Sequence, residues 1–319
     1  MAQLLEESHS SDFGIIITGG AYKRYRHVTS KRDEYINTIK EAAKAGYRIL
    51  KNGGTAVEAV EKSVSILEDC ELFKAGRGSE LTDKGEVECD AMIMDGHNLE
   101  TGAVISGRHF KNPICLSRKI MEESPHCAFS GDGALDYAKS IGFPYCDPKE
   151  LITKEQIEEW ELHYDEEHFT DSDTACAVAI DKNDNLACAL STGGIGGKLK
   201  GRVGDAALVG CGGYANKKGA AVTFGRGEKL IKLTLARQVV FEMENGKSAQ
   251  EATDKAIMLL KDEQDGLGGA IAIDKNGNFG KAFSTNLKAW VGIQDKRLMG
   301  EFDKNDDEGN VNLKFNERI

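Results

Sequence analysis

At 319 residues, 40% hydrophobic and 29% charged with only four prolines, the chain has the composition of a globular protein with a substantial core, which excludes intrinsic disorder. A formal net charge of −11 excludes nucleic acid and anionic membrane as partners, because a phosphate surface demands clustered Lys and Arg, and the one basic run, Lys23-Arg24-Tyr25-Arg26, reads as a solvated loop. Eight cysteines without CxxC or metal-type spacing read as buried free thiols, no window approaches the ~18 apolar residues of a membrane span, and residues 1–11 lack the basic and apolar regions of a signal peptide, so a cytoplasmic protein is expected.

Phe13 to Ile17 reads as a buried strand closed by Thr18-Gly19-Gly20. The spacing of Ile36, Ile39, Ala43, Tyr47 and Leu50 predicts a helix over 31–50, stopped by Asn52-Gly53-Gly54. A second helix opens on a capping box, Thr55 to Glu58, and carries Val57, Val60, Val64 and Leu67 on one face. Two amphipathic helices in series imply a layer packed on a sheet. Residues 67–82 are polar and glycine-punctuated. Further on, 101–106 and 127–130 read as strands, 116–123 and 132–141 as helices, and Asp90 and Asp95 flank an apolar core. His109 and His126 read as structural, and no histidine has metal-ligand spacing.

Residues 147–173 hold eleven Asp or Glu against two Lys. The middle, with Ile152, Ile157, Trp160 and Leu162, suits a helix, whereas 165–173 has no packing pattern and reads as an exposed linker. It ends on Asp173-Thr174-Ala175-Cys176-Ala177-Val178-Ala179-Ile180. A threonine opening a strand is ordinary, since β-branched residues favour strands. A chemical reading stands beside it. If the chain is cut before Thr174, the new α-amine is within reach of the residue's own hydroxyl, and a hydroxyl needs such a base to be a nucleophile.

After Thr174 comes an internal repeat: 177–185 with 189–192 is matched by 270–278 with 282–285, each reading as strand, Asn-containing turn, strand. Between the copies, Gly225-Arg226-Gly227-Glu228 leads into a helix and 249–260 forms another. This order suggests antiparallel sheets between helical layers. Gly193-Gly194-Ile195-Gly196-Gly197-Lys198 fails the P-loop spacing and reads instead as a turn after a strand where the missing Cβ lets a ligand approach the backbone. In Arg202-Val203-Gly204-Asp205 a cation and an anion stand three residues apart, either as a local salt bridge or as a site gripping the carboxylate and ammonium of an amino acid.

Taken together, Lys74-Ala75-Gly76-Arg77-Gly78-Ser79, the run from Val87 to Gly96, the run from Arg108 to Ile114, Asp173-Thr174, Ser191-Thr192-Gly193-Gly194, Gly201 to Asp205 and Gly225 to Glu228 resemble, in unbroken order from about Ile15 to Met299, the family of plant-type asparaginases, isoaspartyl peptidases and glycosylasparaginases. The resemblance implies an α+β fold, a four-layer αββα sandwich of the N-terminal-nucleophile hydrolase type. It implies one structural domain made as a precursor and cut between Asp173 and Thr174 into portions 1–173 and 174–319, usually a homodimer of such pairs. Thr174 would be the nucleophile and Thr192 its hydroxyl partner. Arg202 would bind the substrate α-carboxylate and Asp205 its α-amine, with Gly225 and Gly227 offering backbone groups. No cofactor is implied, although the loop 67–73, from Leu67 to Phe73, corresponds to one that often holds a structural sodium ion. The implied reaction is hydrolysis of β-aspartyl amide bonds in a small amino acid or dipeptide.

The chain also departs from that family: Thr18 where His is usual, Lys74 for Asn, Ala175-Cys176 for Val-Gly, and Phe224 for the threonine that helps form the oxyanion hole, unless a one-residue slip puts Thr223 there. These departures keep a second expectation open, a specificity-shifted or protease-like hydrolase or a non-catalytic binding protein.

Overall fold

The computed structural model describes residues 13–20, 31–163, 174–306 and 309–319; the basic run 23–26 and the linker 165–173, with Asp173, lie outside them. Among the described residues the first elements are strand β1 (Gly14–Thr18) and helices α1 (Arg32–Lys51) and α2 (Ala56–Glu68). The latter carries the capping box read from sequence, Thr55 Oγ1 accepting from Glu58 N–H while the Glu58 carboxylate accepts from Thr55 N–H. Strands β2 (Cys89–Asp95) and β3 (Thr101–Gly107) precede helix α3 (Pro113–Glu123), strand β4 (Ala128–Ser130) and helix α4 (Gly131–Ser140). Helix α5 (Lys154–His163) is the last described element before Thr174.

The hairpin β5 (Ala175–Ile180) and β6 (Leu186–Thr192) follows, then β7 (Gly213–Asn216), β8 (Gly219–Gly225), and helices α6 (Gly227–Leu233), α7 (Leu235–Glu244) and α8 (Ala249–Gln264). A second hairpin, β9 (Gly268–Asp274) with β10 (Phe279–Phe283), leads to β11 (Leu287–Gln294), β12 (Arg297–Asp306) and β13 (Gly309–Arg318). Strands β7, β8 and β11–β13 went unread in the sequence, and the single helix expected after Gly225 is two, because Thr234 adopts φ +46° between Leu233 and Leu235.

Among the described residues the strands form two sheets, one ordered β13-β12-β11-β1-β5-β6-β2-β3-β4 and one ordered β10-β9-β8-β7. Period-two alternation divides the large sheet between two cores. Ile15, Ile17, Ala177, Ala179, Ala187 and Ala189 pack with residues of α1 and α2 such as Ile39, Leu50, Val60 and Val64. Their intervening neighbours Ile16, Cys176, Val178, Cys188 and Leu190 pack instead with Val222, Phe224, Ile271 and Ile273 of the small sheet. The other side of the small sheet, with Ala221, Ala270 and Ala272, packs on Leu235, Val239, Ala252 and Ala256 of α7 and α8. Alanines recur where helix meets sheet because a small side chain lets the two backbones approach.

The sequence repeat is a structural one. Asp181 Oδ1 accepts from the N–H groups of Asn183 and Asn185 at 2.8 and 3.0 Å, and Asp274 Oδ1 from those of Asn276 and Asn278 at 2.9 and 3.0 Å. Both hairpins thus turn on the same Asx geometry, yet one lies in each sheet. The eight cysteines are free thiols, but the expectation of uniform burial needs correcting: Cys89, Cys176, Cys188 and Cys211 are buried, Cys70, Cys115 and Cys146 are half-buried, and Cys127, outside the cores, is exposed. Among the described residues no helix is long and apolar enough to cross a membrane, and no cluster of three His, Cys, Asp or Glu side chains has the arrangement of a metal site.

Candidate active site

Thr174 immediately precedes β5, whose first residue, Ala175, pairs with Ser191 of β6. One step further along the same antiparallel register sets Thr174 opposite Thr192, and Thr192 pairs on its other side with Asp90 of β2. The pleat gives Thr174 and Thr192 the phase of Cys176, Val178 and Leu190, the side facing the small sheet. Both threonines are 2% exposed. Thr192 Oγ1 accepts a 3.0 Å hydrogen bond from Gly194 N–H.

At Gly193 the glycine turn after β6 admits the protein's own loop where a ligand was expected, because Ser79 and Glu80 occupy that space. Gly193 N–H donates to Lys74 O at 2.6 Å, and a Cβ on Gly193 would lie 2.5 Å from Ser79 Cβ and 2.6 Å from Glu80 N. Gly194 has φ +77°, and a Cβ there would stand 3.1 Å from both Arg202 Nη1 and Lys198 Nζ. The turn therefore joins the threonine pair to the charged residues beyond it.

Arg202 and Asp205 both lie against Gly227, but they do not form the local salt bridge that their spacing allowed. Arg202 forks onto Glu228 of α6, Nε to Oε1 and Nη2 to Oε2, both at 2.9 Å. Hydrogen bonding from Arg202 holds the Glu228 carboxyl below its ordinary range. Asp205 is 4% exposed, and its Oδ2 is buried without a hydrogen-bond partner. Burial pushes its pKa up to about 7, against the opposing pull of Arg202. Gly227 sits between the two, since a Cβ on it would be 3.0 Å from both Arg202 Nη2 and Asp205 Oδ1. Gly225, with φ +142°, packs its α-carbon against Leu267 O, 2.6 Å from where a Cβ would be. A buried carboxylate oxygen lacking a partner, beside a guanidinium, is suited to an ammonium and a carboxylate separated by one carbon.

Two members of this cluster were missed as site residues. Glu228 appeared only as part of a motif. Lys198, passed over with the phosphate loop, is 1% exposed, donates to Glu88 O at 2.8 Å, and has its pKa lowered by burial against the pull of Asp90. The available signal was a lysine six residues after Thr192 in a stretch with no other reason to carry one.

The departures acquire geometry too. Thr18 donates its hydroxyl to Ala289 O at 2.7 Å across the β1–β11 pair. The Lys74 ammonium is held by Glu159 Oε2 at 2.7 Å and Glu80 Oε1 at 3.2 Å, so the charge it brings is compensated. Phe224 is fully buried between the sheets with its ring centroid 5.6 Å from that of Phe283, whereas Thr223 donates to Cys211 O at 2.9 Å. Adjacent residues of a strand face opposite ways, so a slip of one position does not bring the Thr223 hydroxyl to the inter-sheet side.

Main-chain carbonyls of the loop 67–73 pack against Gly76 and Gly78. A Cβ on Gly78 (φ +101°) would lie 2.7 Å from Glu71 O and 2.8 Å from Phe73 O, and one on Gly76 (φ +57°) 2.8 Å from Glu68 O. Glu68 O is already taken by Arg77 N–H at 3.0 Å, so what these distances record is tight packing of the loop on two glycines.

Three relatives set this geometry in context. The chain is 42% identical over 292 residues to an isoaspartyl peptidase/L-asparaginase of Danio rerio, covering 89% of this chain and 93% of the relative. It is 41% identical to the protein of the same name from Homo sapiens, over 88% and 93% of the two chains. It is 38% identical to a plant-type L-asparaginase of Pyrococcus abyssi, over 87% and 95%. The asparaginase family model matches residues 11–300, a span that holds Thr174, Thr192, Arg202, Asp205 and Glu228 together with both sheets' central strands, and the chain belongs to that family.

Proposed function

We propose that the protein hydrolyses the β-aspartyl amide bond of free asparagine and of isoaspartyl dipeptides, using Thr174 released as an N-terminal residue by self-cleavage. The observation that carries this reading is the partnerless buried Oδ2 of Asp205 beside the Arg202 guanidinium, one turn of glycines away from Thr192. The names of the relatives support the same chemistry and weigh against a non-catalytic descendant.

Maturation begins when Thr174 Oγ attacks the Asp173 carbonyl carbon. The C–N bond breaks, the nitrogen becomes the Thr174 amine, and water hydrolyses the ester to leave a carboxylate on Asp173. In turnover the amine takes the hydroxyl proton as Oγ attacks the substrate amide carbon, then delivers it to the departing ammonia or amine. Water hydrolyses the β-aspartyl ester, releasing aspartate and restoring the hydroxyl. Arg202 and Asp205 hold the α-carboxylate and α-ammonium, Thr192 orients the nucleophile, and backbone groups at Gly225 and Gly227 face the substrate. Phe224 lacks the hydroxyl expected for the oxyanion, which lowers kcat.

The mixed α/β chain takes the four-layer αββα arrangement of an N-terminal-nucleophile hydrolase, supported by three cores that follow one another from α1 and α2 through both sheets to α7 and α8. Portions 1–173 and 174–319 stay associated as one domain and pair into a homodimer in the cytoplasm, and the loop from Leu67 to Phe73 would be the segment to hold a structural sodium ion.

The test is the intact mass of freshly purified protein beside a Thr174→Ala control, followed by assay of aspartate release. Two fragments split between Asp173 and Thr174 in the wild type alone, with aspartate released from asparagine or a β-aspartyl dipeptide, are the expected results. An uncut chain that releases no aspartate would sink the proposal.

A further inference from the structure

Helix α5 turns one face onto the loop that backs the glycine turn. Gln156, Glu159 and Trp160, spaced three and four apart, share a helical face. Gln156 Nε2 donates to Ser79 O, Trp160 Nε1 donates to Thr82 O at 2.9 Å, and Glu159 Oε2 accepts from Lys74 Nζ at 2.7 Å. The Trp160 ring lies 3.6 Å from the position a Cβ would take on Gly85. The loop so gripped touches Gly193 on its other side: Lys74 O accepts from Gly193 N–H, and Ser79 and Glu80 fill the space where a Gly193 Cβ would be. Gly193 directly follows Thr192.

Within this clamp the Lys74–Glu159 pair is the charged element. The Lys74 side chain is 14% exposed and those of Glu159 and Glu80 are 32% and 11% exposed. Without the ammonium, two carboxylates would face each other at a largely enclosed site, so the lysine and the helix it holds are mutually required.

We propose that Lys74 and Glu159 form a positioning pair that seats the loop 74–82 against Gly193 and thereby sets how fast the chain cuts itself before Thr174. The role rests on the self-cleavage reading given above. Glu159 precedes Thr174 in the chain, so α5 belongs to the portion that self-cleavage separates from the nucleophile, and the pair keeps that helix docked beside the Thr192–Gly193 turn. A loosened loop lets the turn back away from Lys74 O and disturbs the Gly194 N–H bond that orients Thr192.

The experiment follows conversion of the full-length chain into two fragments with time, by denaturing gel and intact mass, for wild type, Lys74→Met, Glu159→Gln and the exchange Lys74→Glu with Glu159→Lys. Thermal melts of the uncut chains report whether each variant is folded. Misplacing catalytic groups by about 1 Å costs rate steeply, so both single variants are expected to cut about tenfold or more slowly. Glu159→Gln leaves Lys74 with Glu80 and keeps the test open if Lys74→Met fails to fold. The exchange restores cutting towards the wild-type rate, because a lysine at 159 bridges two carboxylates, and a slowed cutting rate in single variants whose melting temperature stays near wild type is what a purely structural role would not produce. Single variants that cut as fast as wild type, or an exchange no faster than the slower single variant, would overturn the pair's role while leaving self-cleavage standing. A folded wild type that never cuts would overturn the self-cleavage reading itself and the pair's role with it.

Discussion

Arg202 meets Glu228 through two parallel hydrogen bonds of 2.9 Å, which leaves Nη1 as the guanidinium nitrogen turned towards Gly194 and Gly204. A bidentate fork of this kind fixes the plane of the guanidinium as well as its position. Glu228 thus presents Arg202 to the space between the glycine turn and Asp205. We predict that Glu228→Ala raises KM for asparagine about tenfold with a smaller change in kcat, since loss of a partly exposed charged hydrogen bond is worth about 1–2 kcal/mol. Steady-state kinetics check this, and a fall in kcat at constant KM would show that Arg202 needs no such support.

Asp205 has the opposite problem, a buried oxygen with no partner. Burial raises its pKa to about 7, so the protonated form competes near neutral pH before substrate arrives. An ammonium on Oδ2 requires the ionised form, so KM for asparagine is expected to fall as pH rises from 6 to 8. Asp205→Asn should lose most of the binding at every pH, and a KM independent of pH in the wild type would argue against Asp205 as the ammonium site.

Glu68 is fully buried at the end of α2, with Oε1 accepting from Ile114 N–H at 3.0 Å and Oε2 without a partner of hydrogen-bonding geometry. Burial raises its pKa from 4.5 to about 8. The folded chain therefore binds a proton that the unfolded chain has released between these values, so stability falls as pH rises through this window, by up to about 1.4 kcal/mol per pH unit. Glu68→Gln removes this contribution. Thermal melts between pH 5 and 8 should show a shallower decline for the variant than for wild type; equal slopes would mean that Glu68 is ionised throughout.

Phe224 separates stability from catalysis. Phe224→Thr would empty ring volume beside Phe283 and Gly269, at a cost of about 3 kcal/mol. It also returns a hydroxyl to the inter-sheet side, and one oxyanion donor is worth ~10²–10³ in rate. The expected outcome is a lower melting temperature together with a kcat raised at least tenfold. A variant that is less stable and no faster would show that the oxyanion is held by backbone groups alone.

Gly193→Ala should fail for a simpler reason. Its Cβ would press on Ser79 and the Glu80 backbone, which are themselves held by α5. Overpacking of this kind costs about 1–3 kcal/mol, and the melting temperature and the rate of self-cleavage should fall together.

Local chemistry was legible before any coordinates. The Thr55–Glu58 capping box, the alternating apolar strands and the doubled Asp-Asn turns at Asp181 and Asp274 involve groups within a few residues of each other, and short-range sterics and hydrogen bonding decide them wherever the chain goes. The unbroken order of motifs likewise marked Thr174, Thr192, Arg202 and Asp205 as candidates. Tertiary structure alone decided the rest. It set β1 between β11 and β5, sent the two copies of one hairpin into different sheets, turned Arg202 to Glu228 and not to Asp205, gave Lys74 to Glu159, and buried Lys198 beneath Gly194. Each of these joins residues tens to hundreds of positions apart or turns on what surrounds a charge. Such contacts are chosen by the global packing of the cores and by desolvation, neither of which is written in a local window of residues.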